Sequence, residues 1–215
     1  MLQLFIANKN YSSWSMRPWV LLRQAGIPFL EVRVRLGALD AESEFKTIIR
    51  GVSPAEKVPV LVDEGHAVWD SMAIFEHLAE RFPEHALWPA GARARARARS
   101  VCAEMHSGFL ALRSHCPMNI EARLPEAGAL VWRDHAAVRD DVDRLVRMWT
   151  ELLEQHGGPL LFGAFSIADA CFAPVCMRLR TYALPVPRAV ADYVERVCAL
   201  PGVRHWVEDA CAEGD

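Results

Sequence analysis

The first hundred residues contain no cysteine, and nowhere does the 215-residue chain carry a Cys-x-x-Cys pair. That excludes a dithiol redox motif and leaves Cys102, Cys116, Cys171, Cys176, Cys198 and Cys211 scattered through the second half. Their neighbours are mostly apolar, the setting of packed free thiols in a reducing compartment rather than of a disulfide framework. His115 adjoins Cys116, but no second ligand pair stands at zinc spacing, so no metal is expected. Long hydrophobic runs are missing too: no stretch approaches the ~20 apolar residues that span a bilayer. The chain opens on Met-Leu-Gln-Leu-Phe-Ile, without the basic region and small-residue cleavage site of a secretory leader. Nor is there an excess of one charge. Lys and Arg number 24 against 27 Asp and Glu, a net of -3, which gives no field to draw nucleic acid or an anionic membrane. The expectation is a soluble, cytoplasmic protein without nucleic-acid or membrane partners.

What is present has a globular balance, 52% hydrophobic and 24% charged. A chain of this length buries roughly 70% of its unfolded surface, so it needs neither metal nor disulfide to fold. Residues 2–7 form a short apolar run bounded by Asn8-Lys9-Asn10, a buried strand. Residues 15–25 are helical in pattern. Pro18 is best tolerated in a first turn, which puts the start near Ser15 or Met16, and Gly26 ends the helix. Residues 29–35 alternate Leu30, Val32 and Val34 with charge, a half-exposed strand, and Asp40 is a plausible cap for a short helix closed by Gly51. Two apolar runs, 57–63 and 67–70, joined through Glu64-Gly65-His66, read as a hairpin. Ile74, Phe75, Leu78 and Phe82 then fall at helical spacing over 71–82. Residues 1–82 thus spell β-α-β-α-β-β-α.

Two prolines and a glycine mark a linker at 83–92, and residues 93–215 are helical throughout. The spacing predicts helices over 93–116, 130–155, 166–182 with a kink at Pro174, 188–200 and 202–212. The alternating Ala-Arg tract at 93–99 makes no basic face: steps of two residues turn ~200° on a helix, so Arg93 and Arg97 oppose Arg95 and Arg99.

Three separated features carry the chemistry. Tyr11-Ser12-Ser13-Trp14-Ser15-Met16-Arg17 is a serine-rich turn entering a helix, where unpaired N–H groups and the helix dipole favour an anion. A helix cap accounts for one serine, Ser15, and leaves Ser12 and Ser13 without a structural task. Val58-Pro59 opens the third strand, and Asp70-Ser71 stands where the fourth strand gives way to a helix.

Together these residues resemble the soluble glutathione S-transferases, serine-type and similar to bacterial relatives of the zeta class, over essentially the whole chain. The resemblance implies a thioredoxin-like first domain and an all-helical second one, a homodimer, and glutathione as co-substrate with no metal. It further implies that the Val58-Pro59 bond is cis, although X–Pro bonds are trans by default. Val58 would then meet the cysteinyl part of glutathione through its backbone, Asp70 and Ser71 the γ-glutamyl end, and Lys57 the glycyl carboxylate. Gly163-Ala164-Phe165-Ser166-Ile167-Ala168-Asp169 matches the family's capping box in a buried helix, a folding role for Ser166 and Asp169. Trp14 departs from the cysteine common at that place in the zeta class, which reshapes the acceptor pocket.

A thiol is a poor nucleophile, so the chemistry needs its thiolate. A hydroxyl donor near a helix N-terminus stabilises that anion; Ser12 is the first candidate and Ser13 the second. The thiolate would attack a small electrophilic molecule. Trp14, His106 and Arg113 are the expected acceptor pocket, with Met118-Asn119 nearby; His106 and Arg113, seven apart, lie on nearly one helix face. His106 fits an ordinary partly buried histidine as well as a catalytic one. Isomerisation or dehalogenation by the same thiolate, and a non-catalytic glutathione-binding protein, are the competing readings.

Overall fold

The computed structural model describes residues 1–36 and 43–213. Its first third runs β1 (Leu2–Ile6), α1 (Ser13–Ala25), β2 (Phe29–Arg33), α2 (Glu44–Arg50), β3 (Val60–Asp63), β4 (His66–Trp69) and α3 (Ser71–Arg81). The sheet order is β2-β1-β3-β4, with β2 parallel to β1 and the hairpin strands antiparallel. The element order is the one that the periodicity predicts, and the fold is the thioredoxin-like one that the resemblance implies. β1 is apolar on both faces because both are covered. Leu2, Leu4 and Ile6 join Trp19, Leu22 and Ile74 in the main core, while Phe5 and Ala7 pack with Val34, Phe45 and Ile49 on the α2 side. The hairpin turn Glu64-Gly65 has φ of 50° and 86°, the positive pair that a two-residue type I′ turn demands.

Three local expectations need correction or restriction. α1 starts at Ser13, so Pro18 sits beyond the first turn. The missing N–H forfeits one bond, to the Trp14 carbonyl, while Met16 N–H closes the first turn on the Ser12 carbonyl at 3.1 Å. Ser15 is therefore inside the helix and does not cap it. The cap expected at Asp40 lies outside the described residues; α2 is capped by Ser43, whose hydroxyl accepts the Lys46 N–H, and it ends at Gly51.

Beyond a 3-10 turn at Pro83–His85 come α4 (Ala92–Ser107), α5 (Leu110–His115), α6 (Pro125–Asp134), α7 (Ala136–His156), α8 (Ile167–Thr181), α9 (Arg188–Ala199) and α10 (Pro201–Ala212). Two helices expected to be continuous are each divided. The span 93–116 breaks at Gly108-Phe109, where Phe109 turns left-handed at φ 54°, and α5 restarts with Asp141 of α7 accepting the Leu112 N–H at 2.9 Å. The span 130–155 breaks at His135, which stacks on His115 with ring centres 3.7 Å apart, while Arg139 covers the carbonyls of Trp132 and Arg133. α8 opens with the expected box: Ser166 and Asp169 satisfy each other's backbone. The arginine tract serves the fold. Arg97 pairs with Glu151 at 2.9 Å, Arg99 holds Glu76 through two bonds, and Arg95 donates to the carbonyls of Pro89 and Ala90.

The main core is continuous between the halves, running from Leu4 and Trp19 through Val101 and Trp149 to Phe172 and Trp206. Lys9 is fastened within it. Its ammonium contacts Glu31 at 2.8 Å and Asp209 of α10 at 2.5 Å, lying 4.5 Å from the Trp19 ring centre, and its carbonyl accepts the Trp206 indole N–H.

Candidate active site

Val58-Pro59 is cis and leads into β3, presenting Lys57, Val58 and Pro59 along one wall of a 460 Å³ cavity. At the far end of the hairpin, Asp70 leaves β4 with φ 74° and ψ 132°, a conformation that costs a residue with a Cβ about 1–3 kcal/mol. The bend pays for itself locally by capping α3: Asp70 Oδ1 accepts the Met72 N–H at 2.8 Å. It also brings Asp70 and Ser71 to the same cavity. Ser71 is 1% exposed, and its hydroxyl has no hydrogen-bond partner among the described residues. A buried hydroxyl left unpaired costs free energy that only a polar ligand group or a water recovers.

The serine turn is more deeply engaged than its sequence implies. Ser12 and Ser13 are buried at the N-terminal end of α1, next to Trp14, which lines the cavity as neither serine does. Both have structural partners. Ser12 Oγ lies 2.7 Å from Ser15 Oγ, which also accepts the Ala7 N–H at 3.3 Å. Ser13 Oγ accepts from Arg178 of α8 at 3.2 Å.

The helical half contributes His106 and Arg113 to the cavity lining. Trp14 is flanked by the Arg17 guanidinium at 4.1 Å and that of Arg113 at 4.9 Å, and His106 meets the ring edgewise at 4.9 Å. Despite the break at Gly108, Arg113 stays beside His106, because its guanidinium donates to the carbonyls of His106 (3.4 Å) and Gly108 (3.2 Å). His106 Nε2 stands 3.2 Å from Asp70 Oδ2, a contact between the two halves. Arg17 is 1% exposed, with Nε and Nη1 unpaired among the described residues. Burial lowers its pKa, with Arg113 adding to the shift. Arg178 is pushed down to about 10 by burial and then by Arg17 and Arg113. Three guanidiniums thus share one region, with Asp70 the carboxylate lining the cavity.

Sequence reasoning missed Ala55 and Trp69, which also line the cavity, and the buried partners Arg17 and Arg178. Trp69 had a signal, since it immediately precedes Asp70. Arg178 had none, because only the fold brings it to Ser13. Met118 is buried and Asn119 instead accepts the Ala122 N–H at 3.2 Å. A 540 Å³ concavity lies at the opposite end of the sheet, around Met1, Phe29 and Phe82. It carries less chemistry, because its Asp63 is already held by His77 and Arg81. Among the described residues, no cluster of three His, Cys, Asp or Glu side chains is placed to hold a metal, and no helix is long and apolar enough to cross a membrane.

Residues 11–81 match the family model for the glutathione S-transferase N-terminal domain, and residues 84–209 match that for the C-terminal domain. A probable maleylacetoacetate isomerase 1 of Drosophila melanogaster is 29% identical over 134 residues, 62% of this chain and 51% of that protein. A probable maleylacetoacetate isomerase of Caenorhabditis elegans is 29% identical over 155 residues, 67% of this chain and 70% of that protein. The match therefore spans only about half of the fly protein. Among solved structures, a glutathione transferase homolog from Burkholderia with bound glutathione superposes with a TM-score of 0.73 at 28% identity, over 98% of both chains.

Proposed function

The chain belongs to the glutathione S-transferase family, and from that premise we propose that it binds glutathione in the Trp14 cavity and turns the thiol on a small electrophile. The observation that carries the reading is the Asp70-Ser71 corner: a left-handed aspartate and a buried, unpaired hydroxyl opening on the cavity that Val58 and Pro59 also line. The Asp70 carboxylate would take the γ-glutamyl ammonium and the Ser71 hydroxyl its carboxylate. Val58 would offer its backbone to the cysteinyl unit and Lys57 its ammonium to the glycyl carboxylate. The Burkholderia homolog, described with bound glutathione, supports glutathione as the ligand.

Ser12 remains the proposed partner of the sulfur, with Ser13 the alternate. Ser15 gives Ser12 a reason to act. Ser12 donates to Ser15, which also accepts the Ala7 N–H; to serve the sulfur the Ser12 hydroxyl would turn outward and accept the Ser15 proton in exchange. Chained hydroxyls polarise one another, and the α1 N-terminus adds positive potential, so the thiolate is favoured. Trp14, His106 and Arg113 would hold the acceptor, and holding it in reach supplies much of the remaining acceleration. The same reading carries a C₂ homodimer and a cytoplasmic location, checked by sedimentation and by cell fractionation.

A second reading, glutathione-dependent isomerisation without net conjugation, is favoured by two observations: the names of the fly and nematode relatives, and Arg113 in the cavity lining with the buried Arg17 and Arg178 close behind it. One experiment tests the conjugating reading against a non-catalytic binding protein. The protein is tested for retention on immobilised glutathione, and wild type and Ser12→Ala are then assayed with a general electrophile. Retention with turnover that falls in Ser12→Ala is expected. Retention without turnover of any electrophile points to a binding protein, and turnover indifferent to Ser12→Ala removes Ser12 from the mechanism.

A further inference from the structure

The Asp70 carboxylate is engaged on both oxygens within the protein itself. Oδ1 accepts the Met72 N–H at 2.8 Å, and Oδ2 stands 3.2 Å from His106 Nε2. An ionised carboxylate only accepts, so Nε2 points its proton at Asp70. The other ring nitrogen, Nδ1, is buried without a hydrogen-bond partner among the described residues. The imidazole is thus tethered by one hydrogen bond and otherwise rests edgewise on Trp14.

We propose that His106 is a positioning residue that occupies Asp70 and yields it to the ammonium group of glutathione, so that filling the glutathione site frees the imidazole into the acceptor cavity. The inference rests on the glutathione reading above. Asp70, Trp14 and His106 line one cavity, so a ring leaving Asp70 remains among the groups that meet the acceptor. One carboxylate oxygen cannot serve a protonated imidazole and an ammonium equally well, because the two cations repel at hydrogen-bond range.

The charged groups around His106 make the competition sensitive to its proton. Asp70 faces it from the start of α3, Arg113 from α5, Arg17 from α1 behind Trp14, and Lys57 from the approach to β3. On its own helix, Glu104 is drawn away by two bonds to Arg144, at 2.6 and 2.8 Å. Among the described residues the imidazolium therefore has one contacting anion, Asp70, against several cations. Binding an ammonium at Asp70 and protonating His106 oppose each other, so by linkage glutathione binds more tightly when the imidazole is neutral.

The probe is S-methylglutathione, whose blocked sulfur removes thiol ionisation from the measurement, titrated by calorimetry at about pH 5.5 and about pH 7.5. Wild-type affinity should rise about tenfold between the two. His106→Asn keeps a donor for Asp70 but carries no charge; its affinity should change less than about twofold and exceed wild type at the acid pH. A wild-type affinity that does not move, or an equal rise in His106→Asn, overturns the displacement while leaving the glutathione site standing. Failure of both S-methylglutathione and glutathione to bind at either pH overturns the site reading and this inference with it.

Discussion

The hydroxyls of Ser12 and Ser15 lie 2.7 Å apart, and of the two Ser15 reaches the backbone just past the first strand, through the Ala7 N–H. Ser15 is fully buried, so Ser15→Ala orphans the Ala7 N–H and costs about 1–3 kcal/mol of stability. It should also lower turnover, because Ser12 loses the partner that directs its proton. Denaturant unfolding together with initial rates checks both halves; a stability loss with unchanged turnover would show that the serine pair matters to the fold alone.

Asp70→Asn separates binding from folding. Asparagine keeps an oxygen for the Met72 N–H and tolerates positive φ better than most residues, so stability should stay within about 0.5 kcal/mol. Losing the charge should weaken glutathione binding about 10–100-fold, the scale of a hydrogen bond to a charged group. Calorimetric titration beside thermal unfolding reads the two effects independently.

Asp169 carries more than a cap. Besides Ser166, its carboxylate accepts the Leu161 N–H at 3.2 Å and the Tyr193 hydroxyl at 3.1 Å, in a fully buried setting. Asp169→Ala should therefore cost about 3–5 kcal/mol, beyond the 0.5–2 kcal/mol of a cap alone, since several donors are orphaned together. Burial pushes its carboxyl up to about 6, against the pull of those hydrogen bonds. The folded protein thus holds this proton more tightly than the unfolded chain. That contribution is complete below about pH 4 and is lost as pH rises through about 6. Relative to Asp169→Asn, wild type should lose stability over that window and level off above it; a difference that instead grows with pH would contradict the assignment.

Gly128 lies on α6 where a side chain has no room: a Cβ there would stand 1.8 Å from the Tyr182 carbonyl oxygen at the end of α8. On an exposed helix, Gly→Ala gains about 1 kcal/mol. Here it should cost about 3 kcal/mol or more by forcing α6 away from α8, lowering Tm by about 6–12 °C. Differential scanning calorimetry on Gly128→Ala reads the sign directly.

The elements that fold on local signals were legible in the sequence: the apolar run of β1, the Glu64-Gly65 turn, and the Ser166-Asp169 box each carry their pattern in adjacent residues. What escaped depends on partners far along the chain. The break at Phe109 is fixed by Asp141, and that at His135 by Arg139 and His115. Lys9 and Arg17 carry no local signal for burial but are buried, because Glu31 and Asp209 accompany the first and Trp14 covers the second. Of the residues lining the Trp14 cavity, those that are consecutive carry their motif in the sequence, as at Val58-Pro59 and Asp70-Ser71. Ser12 and Ser13 were placed by motif as well, yet their hydrogen bonds to Ser15 and Arg178 required the fold.

The fastening of Trp206 to the Lys9 carbonyl bears on how the molecule comes apart. α10 also docks on α1 through Gly202, whose N–H meets Gln24 and whose lack of a side chain lets it sit against the Val20 carbonyl. The first 82 residues taken by themselves would leave Trp19 without the Trp206 ring that packs against it, and the half carrying Asp70 and Ser71 is not expected to stand as a minimal module. A protease that nicked the connecting segment would gain no foothold while α10 stayed docked. Amide exchange should report one shared opening event for α1 and α10, though nearly the whole chain separates them.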